Sequence, residues 1–539
     1  MSLGLEHLYQ RLPFSGDHGQ MVVVVPAAIA TVGASSICLA VRNADKKRHD
    51  FNESDWKVSG LPWPAFFVRC INVIPGFASF ILPILKYLVI QPALRKSIAT
   101  MEEADRQNLV PKILCNQTAR KEIQERLDHF YEDTYKSLTL TQFAKVISYS
   151  NAFFCLENHA GLLKLAMCPE VQQEQVDKPV FIASFARTGT TILHRTMSLD
   201  RDQWRNFDFG DMFCPLPQPA ARWDTANGRP KKAKMTKAII DIALVYFYPG
   251  WMKCLETMHG IRPNEADEDL LWYSCAMGHP YMETLIRLYP EARQYPEGMS
   301  PLESKQMAKY KYTWIKMMMQ LHQCIDKSTW PDSNNMPCPD HPWLLKDPNH
   351  TAYLPELLEV FPDARLIFTH RPPAEIVPSM AKTWVLVVLP EFVPGNPGSS
   401  SAEIGAEVVT RAKHYADGIV SFTQAQSTGS SLAFCAAAKS KEEMMRNTTD
   451  CEKRQRIDFW FGDVVADIPG TIEKVYAHFL GIQPSEKAKK IFVQYLEVNE
   501  RAKLGNQRRS LEDFGLTKEG MDQVFQSYNE MFLNRGLYG

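Results

Sequence analysis

The sequence predicts an α/β fold, because short apolar runs with the character of strands alternate with longer stretches of helical periodicity. Three runs have the length of buried strands: Pro179–Ser184, Leu366–Thr369 and Ile457–Phe461. Charged and amphipathic stretches of helical spacing lie between and before them. Strands that alternate with helices in this way are typical of a parallel sheet covered by helices. The 539 residues are enough to bury a large core.

The first of these strands leads into a candidate anion-binding turn. The segment PVFIASFARTGTTIL reads as a strand, a tight turn that contains Gly189, and the start of a helix. Glycine lets backbone N–H groups turn toward an anion, and the helix N-terminus adds a positive dipole end. Arg187 contributes a fixed charge with a planar set of donors. The hydroxyl groups of the turn belong to Thr188, Thr190 and Thr191.

This turn departs from the Walker A pattern of ATP-binding proteins. Ser184 stands where that motif has its first glycine, and Thr190 replaces the lysine that contacts the β- and γ-phosphates. ATP with Mg²⁺ is therefore a poor fit. The strand, turn and helix instead resemble the 5′-phosphosulfate loop of the sulfotransferases, enzymes that use 3′-phosphoadenosine 5′-phosphosulfate (PAPS) as sulfuryl donor.

The resemblance implies a second strand followed by an arginine and, eight residues later, a serine that bind the 3′-phosphate of the donor. DARLIFTHRPPAEIVPS contains both, as Arg371 and Ser379. Arginine suits a phosphate because it offers two parallel charged hydrogen bonds. Arg508, just before SLEDFG, is a further candidate ligand of this phosphate.

Other segments extend the resemblance over Ser97–Gly539. They are WLLKDPNHTAYLPELLEVFPDARLIFTHR, the acidic HGIRPNEADEDLL from His259, FWFGDVVADIPGTIEKVYAHFLGI and RRSLEDFGL. The last three are similar to a largely bacterial branch of the family. The resemblance implies a three-layer, P-loop-type α/β domain with a mostly parallel central sheet, which works without a metal and transfers sulfuryl in line to a hydroxyl or amine.

The general base does not follow the pattern of the cytosolic sulfotransferases. Cytosolic sulfotransferases place a histidine two residues after a lysine, but here Pro348 follows Lys346 at that distance. Two candidates remain, His259 and His350. His259 is favoured because it opens the acidic motif. A structural role for either ring is the alternative. Lys346 is predicted to contact the bridging oxygen of the donor or to pair with an acid, and Asp267 or Glu268 to orient His259.

Composition narrows the classes of partner. The chain has a formal net charge of −1 and 22% charged residues, which does not indicate a nucleic-acid surface. Its twelve cysteines lack metal-ligand spacing, so no zinc site is expected, and they leave the compartment undecided. The acceptor, whether a small molecule, a lipid or a glycan, and the oligomeric state are not determined by the sequence.

The N-terminal region, residues 1–96, is predicted to associate with a membrane. Residues 21–41 carry no charge and are about long enough to cross a bilayer. Four basic residues between 42 and 48 follow directly, and residues 70–85 are a possible second span, a re-entrant element or an interfacial helix. Two spans would suit a Golgi or ER enzyme with a lumenal catalytic domain; one span would leave that domain in the cytosol.

Residues 97–175 are predicted to form helices that pack on the catalytic domain, residues 176–539. His159, in an apolar stretch of that region, is interpreted as structural. Two other functions compete with a sulfotransferase: a P-loop kinase or other NTPase, and a catalytically inactive, membrane-tethered nucleotide-binding protein.

Overall fold

A computed structural model describes residues 71–72, 76–137, 140–213, 215, 236–237, 260–269, 272, 305–329, 341–388, 400–427, 455–499 and 510–533. His259, Arg508 and the predicted span at residues 21–41 lie outside these ranges. The described strands are β1 (Val180–Ile182), β2 (Leu344–Lys346), β3 (Arg365–His370) and β4 (Arg456–Trp460).

Helices precede the sheet and lie between its strands. In chain order, the described ones up to β4 are α1 (Phe77–Gln107), α2 (Gln117–Lys136), α3 (Gln142–Ala166), α4 (Pro169–Gln172), α5 (Thr190–Ser198), α6 (Phe209–Phe213), α7 (Lys305–Thr329), α8 (Leu354–Val360), α9 (Pro373–Val388) and α10 (Ser401–Ser427). After β4 come α11 (Phe461–Ala466), α12 (Ile468–Phe479), α13 (Glu486–Val498), α14 (Lys518–Val524) and α15 (Gln526–Tyr528).

The four described strands form one parallel sheet in the order β2-β1-β3-β4. In the register of this sheet, Phe181 is opposite Leu345 on one side and Leu366 on the other. The three predicted strands therefore exist, each shifted by no more than two residues at either end, and the predicted α/β class with a parallel central sheet is confirmed. The short strand β2, in the segment that begins at Trp343, was not predicted as a strand.

Alternate side chains of the strands enter two separate hydrophobic clusters, as expected for a sheet covered on both faces. Val180, Ile182 and Ile367 pack in a cluster with residues of α5, α12 and α13. Phe181 and Phe368 belong to the larger cluster, which includes α7 and α10. Helices thus lie on both faces of the sheet, which gives the predicted three layers.

The order of the strands fixes where a ligand can bind. From β1 the chain moves to β2 at one edge and then returns to β3 on the other side of β1. In open α/β sheets, ligands bind outside the carboxyl ends of the strands at such a switch point. The segments that follow β1 and β3 therefore meet at this place.

Helices α1 and α3, which precede β1 in the chain, pack side by side. Lys96 and Glu157 form an ion pair of 2.5 Å between them, and Ser97 Oγ lies 2.7 Å from His159 Nδ1. His159 is fully buried and stacks on Trp314 of α7, with 4.9 Å between the ring centroids. Burial lowers the pKa of His159 to about 4, so the ring is neutral and ties α1 and α3 to the core.

Within the described part of the chain, one helix is long and apolar enough to span a membrane. This helix is α1, which has a π-helical turn at Lys86–Ile90. It overlaps the predicted second segment at residues 70–85.

Candidate functional site

The turn after β1 has the backbone conformation that an anion-binding loop needs. Gly189 has φ +82° and is the N-cap of α5, and Arg187 has φ +69°. Positive φ is unusual for an arginine and costs roughly 1 kcal/mol or more. Such strain is found most often at functional sites, where the surrounding structure holds it in place.

Hydroxyl groups connect this turn to the neighbouring strand. Thr188 donates to the carbonyl of Phe185 at 2.7 Å and accepts from Thr369 at 2.7 Å, so its hydroxyl has a structural role. Ser184 Oγ accepts a 2.7 Å hydrogen bond from the backbone N–H of Thr369. The serine that replaces the first Walker glycine therefore fastens β1 to β3, a function that the sequence analysis did not identify.

The structure brings together three of the side chains that were predicted to bind the two phosphate groups. Arg371, just after β3, donates to the carbonyl of Arg187 at 2.9 Å. The guanidinium of Arg187 donates from Nε to Ser379 Oγ at 2.9 Å. Arg371 also lies over the ring of Phe461, 4.2 Å from its centroid, and pairs with Glu375 at 3.1 Å. We call Arg187, Arg371 and Ser379 the arginine side of the site.

A buried network holds the end of β3, directly before Arg371. His370 Nε2 lies 2.9 Å from Asp458 of β4, and Nδ1 lies 2.9 Å from the hydroxyl of Tyr528 in α15. Arg456 pairs with the same aspartate at 2.7 Å. The C-terminal helices thereby help to position Arg371, and no motif in the sequence pointed to this arrangement.

The acidic motif that follows His259 lies beside the helix that begins at the turn. Arg195 of α5 donates to the carbonyl of Gly260 at 2.7 Å and to Asp267 at 2.9 Å, and pairs with Glu265 at 3.3 Å. Arg195 is almost completely buried. It anchors residues 260–267 on the helix, and the role of this arginine was missed because nothing local in the sequence distinguishes it.

Lys346, at the end of β2, connects the acidic motif with the turn. Its Nζ lies 2.6 Å from Glu268 Oε1 and 3.3 Å from Thr191 Oγ1. The side chain of Lys346 is 1% exposed, whereas that of Glu268 is 22% exposed. The predicted pairing of this lysine with an acid is therefore observed, and the partner carboxylate is accessible from solvent.

His350 lies behind this pair and has no exposed surface. Its Nε2 is 3.3 Å from Asp269 Oδ1, which also accepts from the backbone N–H of Lys346 at 3.1 Å, and its Nδ1 is 3.2 Å from the hydroxyl of Tyr312. Burial favours the neutral ring, but the Asp269 carboxylate holds the pKa of His350 above its ordinary value. In this arrangement both ring nitrogens of His350 face protein groups, and the ring supports the end of β2. We call Glu268, Asp269, Lys346 and His350 the acidic side of the site.

Comparisons with known proteins find similarity in sequence and in fold. Residues 179–391 match a sequence model described as "Sulfotransferase family", and this segment contains all of the described site residues. The structure is similar to that of the sulfotransferase STF9 from Mycobacterium avium, with a TM-score of 0.54 and 15% identity over 81% of this chain and 96% of that one. Similarity to the sulfotransferase STF1 from Mycobacterium tuberculosis has a TM-score of 0.49, with 18% identity over 79% and 97% of the two chains.

No curated protein matches the chain in sequence. The likeness to STF9 shows a shared fold, and the family match covers the strands β1 to β3, the turn and both sides of the site. The chain thus has an α/β fold similar to that of the sulfotransferase STF9, and residues 179–391 resemble the sulfotransferase family in sequence.

Proposed function

We propose that this protein is a sulfotransferase that moves the sulfuryl group of PAPS to a hydroxyl or amine of an acceptor. The observation that carries the proposal is the meeting of Arg187, Arg371 and Ser379 at the carboxyl ends of two adjacent parallel strands. The family match at residues 179–391 supports sulfuryl transfer in general.

The arginine side fits a ligand that has anionic groups at two positions. Arg187 belongs to the turn, where backbone N–H groups and the N-terminus of α5 favour an anion. Arg371 follows β3 and Ser379 lies in α9, yet one hydrogen bond joins Ser379 to Arg187. A nucleotide with phosphate on both its 3′ and its 5′ oxygen has this distribution of charge, whereas the phosphates of ATP form a single chain.

The acidic side supplies groups for the transfer itself. In PAPS the bond that breaks joins sulfur to an oxygen of the 5′-phosphate. Lys346 lies beside Thr191 of the turn, where its charge would stabilise the oxygen that leaves. A new bond forms between sulfur and the acceptor oxygen or nitrogen, whose proton passes to a base on the protein.

Glu268 is the described carboxylate that contacts Lys346 and remains accessible, so we assign it the role of base. His259, the base favoured by the sequence, is the competing assignment. A carboxylate held 2.6 Å from a buried lysine is positioned close to the turn without being sequestered. Glu268→Gln and His259→Gln variants separate the two assignments. Among variants that still bind the donor, only the one that lacks the base should lose sulfuryl transfer.

Attachment to a membrane and the cellular compartment are proposed from the sequence. We propose that residues 21–41 anchor the chain to a membrane of the Golgi or ER, with a lumenal catalytic domain if two segments span and a cytosolic one if only the first does. Such a location favours a lipid or glycan acceptor over a freely diffusing small molecule.

A thermal-shift titration of the full chain in detergent tests the donor. A ligand that binds only the native state raises the melting temperature. We expect stabilisation by 3′-phosphoadenosine 5′-phosphate, little by adenosine 5′-phosphate, and loss of the effect in Arg371→Ala. A larger shift with ATP and Mg²⁺ would favour a kinase or NTPase. Nucleotide binding without transfer of ³⁵S-sulfuryl to any acceptor in a broad panel would favour an inactive binding protein.

A further inference from the structure

The first turns of α1 present an apolar surface to solvent. Phe80, Ile84, Tyr87 and Leu88 are exposed, the first of them by 71% and the last by 73%. Ile84, Tyr87 and Leu88 follow Phe80 by four, seven and eight residues, which places all four side chains on one side of the helix. We call these four side chains the apolar face. Large aromatic and aliphatic side chains exposed together on one surface usually mark a binding site.

The opposite side of α1 is fixed to the protein. Leu82, Leu94 and Met101 are buried against the main hydrophobic cluster, and the Lys96–Glu157 ion pair and the Ser97–His159 hydrogen bond hold the second half of the helix on α3. A helix anchored in this way along one side is not free to cross a bilayer alone. Its exposed side is still available to a surface.

The apolar face continues toward α3. A cleft between the two helices is lined by Leu85, Val89, Tyr149, Phe153 and Phe154. Phe154 is 36% exposed, so it extends the apolar surface beyond α1. This cleft adds aliphatic and aromatic groups but no charged side chain.

The area of the face is small for an interface between two proteins. Side chains of this size have surfaces of about 150–250 Å² each, so the four exposed fractions sum to roughly 500 Å². A stable protein–protein interface buries about 800 Å² on each partner. Insertion into the boundary of a lipid bilayer has no such threshold area, because its strength scales with the apolar area that enters the headgroup region.

The charges around the face also fit a lipid surface. Between Phe77 and Ile90 the one ionisable cation, Lys86, turns toward α2, where its Nζ is 4.0 Å from Asp128 and 5.4 Å from the ring centre of Tyr131. Exposed Arg95 lies two turns after Leu88, and its long cationic side chain can reach toward phospholipid headgroups. Upstream, the uncharged residues 21–41 end 35 residues before the helix begins, counting 42 to 76.

We infer that the apolar face inserts into the surface of a lipid bilayer, so that the first turns of α1 lie in the membrane interface and hold the catalytic domain against the membrane. This role is separate from the span predicted at residues 21–41, and it replaces a second span at residues 70–85. It also does not depend on the proposed transfer reaction.

Site-specific crosslinking in the full chain tests the inference. A benzophenone amino acid replaces Leu88, and the protein is reconstituted in vesicles of phosphatidylcholine and phosphatidylserine and irradiated. Replacement of Glu102 provides the matched control, because it is exposed on the same helix about 21 Å farther along. We expect a phospholipid adduct at position 88 and none at position 102, with the melting temperature unchanged by either substitution.

Three results would overturn the inference. They are an adduct between position 88 and a peptide from residues 1–70 of the same chain, an adduct with a second copy, and no lipid adduct at position 88. The same probe in place of Tyr87 repeats the test at a second exposed position, so one unfavourable geometry does not decide the outcome.

Discussion

On the arginine side of the site, two guanidinium groups and a hydroxyl lie at the ends of neighbouring strands, and Arg371 is partly exposed. On the acidic side, Lys346 and His350 are buried, and each has a carboxylate within hydrogen-bond distance. Both arginines of the first side are partly exposed, and Glu375 pairs with Arg371. The second side is a set of nearly compensated charges, of which Glu268 is the accessible member.

This difference separates binding from chemistry. Partly exposed guanidinium groups attract a polyanionic ligand and contribute affinity. Compensated buried charges contribute little affinity for an anion, but they hold a base and a cation in fixed positions, which is what transfer requires. We therefore expect substitutions on the two sides to affect different measurements.

The largest effect is expected from Glu268→Gln. If this carboxylate accepts the proton of the acceptor, its loss lowers the transfer rate by about 10²–10⁴-fold, the usual contribution of general base catalysis. The measurement is single-turnover transfer of ³⁵S-sulfuryl from PAPS. Glu265→Gln, in the same motif but bound to Arg195 and Arg262, is the matched control and should retain transfer. A Glu268→Gln variant with full activity would return the role of base to His259.

A smaller loss, in affinity and not in chemistry, is expected from Arg371→Ala. Hydrogen bonds to charged groups contribute about 1.5–3 kcal/mol, so the dissociation constant for 3′-phosphoadenosine 5′-phosphate should rise about 10–100-fold. Arg371→Lys keeps the charge without the planar pair of donors. Its dissociation constant should therefore lie between those of the wild type and Arg371→Ala. Equal binding of this nucleotide and of adenosine 5′-phosphate by the wild-type protein would show that Arg371 does not bind a 3′-phosphate.

The turn itself is tested by Gly189→Ala. A side chain at φ +82° costs about 1–2 kcal/mol, whereas the new methyl group would lie 3.5 Å from Val464, an ordinary contact. We expect a lower melting temperature and weaker nucleotide binding together. Gly189→Asn should be milder, because asparagine tolerates this conformation better. An unchanged Gly189→Ala protein would mean that the turn does not need the left-handed conformation.

The smallest effects are expected in the pH dependence of stability. Here the contribution of His350 is compared with that of His159. The pKa of His350 is raised, so its contribution is present at low pH and is lost as the pH rises through the folded-state value. His159 has the opposite sign, because burial lowers its pKa to about 4 and its contribution is lost as the pH falls from about 6.5 toward 4.

Thermal melts of His350→Gln and His159→Gln between pH 4 and pH 8 measure both contributions. The destabilisation caused by His350→Gln should shrink as the pH rises, whereas that caused by His159→Gln should shrink as the pH falls. Parallel curves for the two variants would show that the Asp269 carboxylate does not set the charge of His350.

The arginine side could be predicted from the sequence because its determinants are local. The turn needs Gly189 and hydroxyl-bearing residues in succession, and Arg371 and Ser379 are eight residues apart after one strand. The acidic side depends on contacts between distant segments. Lys346 meets Glu268 across 78 positions of the chain, and Arg195 meets Asp267 across 72. No spacing rule encodes these pairs, so His350 was weighed as a base although folding buries it completely.

The division of labour between the two sides is tested most directly by calorimetric titration of 3′-phosphoadenosine 5′-phosphate into the wild-type, Glu268→Gln and Arg371→Ala proteins. We predict that Glu268→Gln binds the nucleotide as tightly as the wild type, while Arg371→Ala binds at least about 10-fold more weakly. Equal losses in both variants, or no loss in Arg371→Ala, would contradict the account.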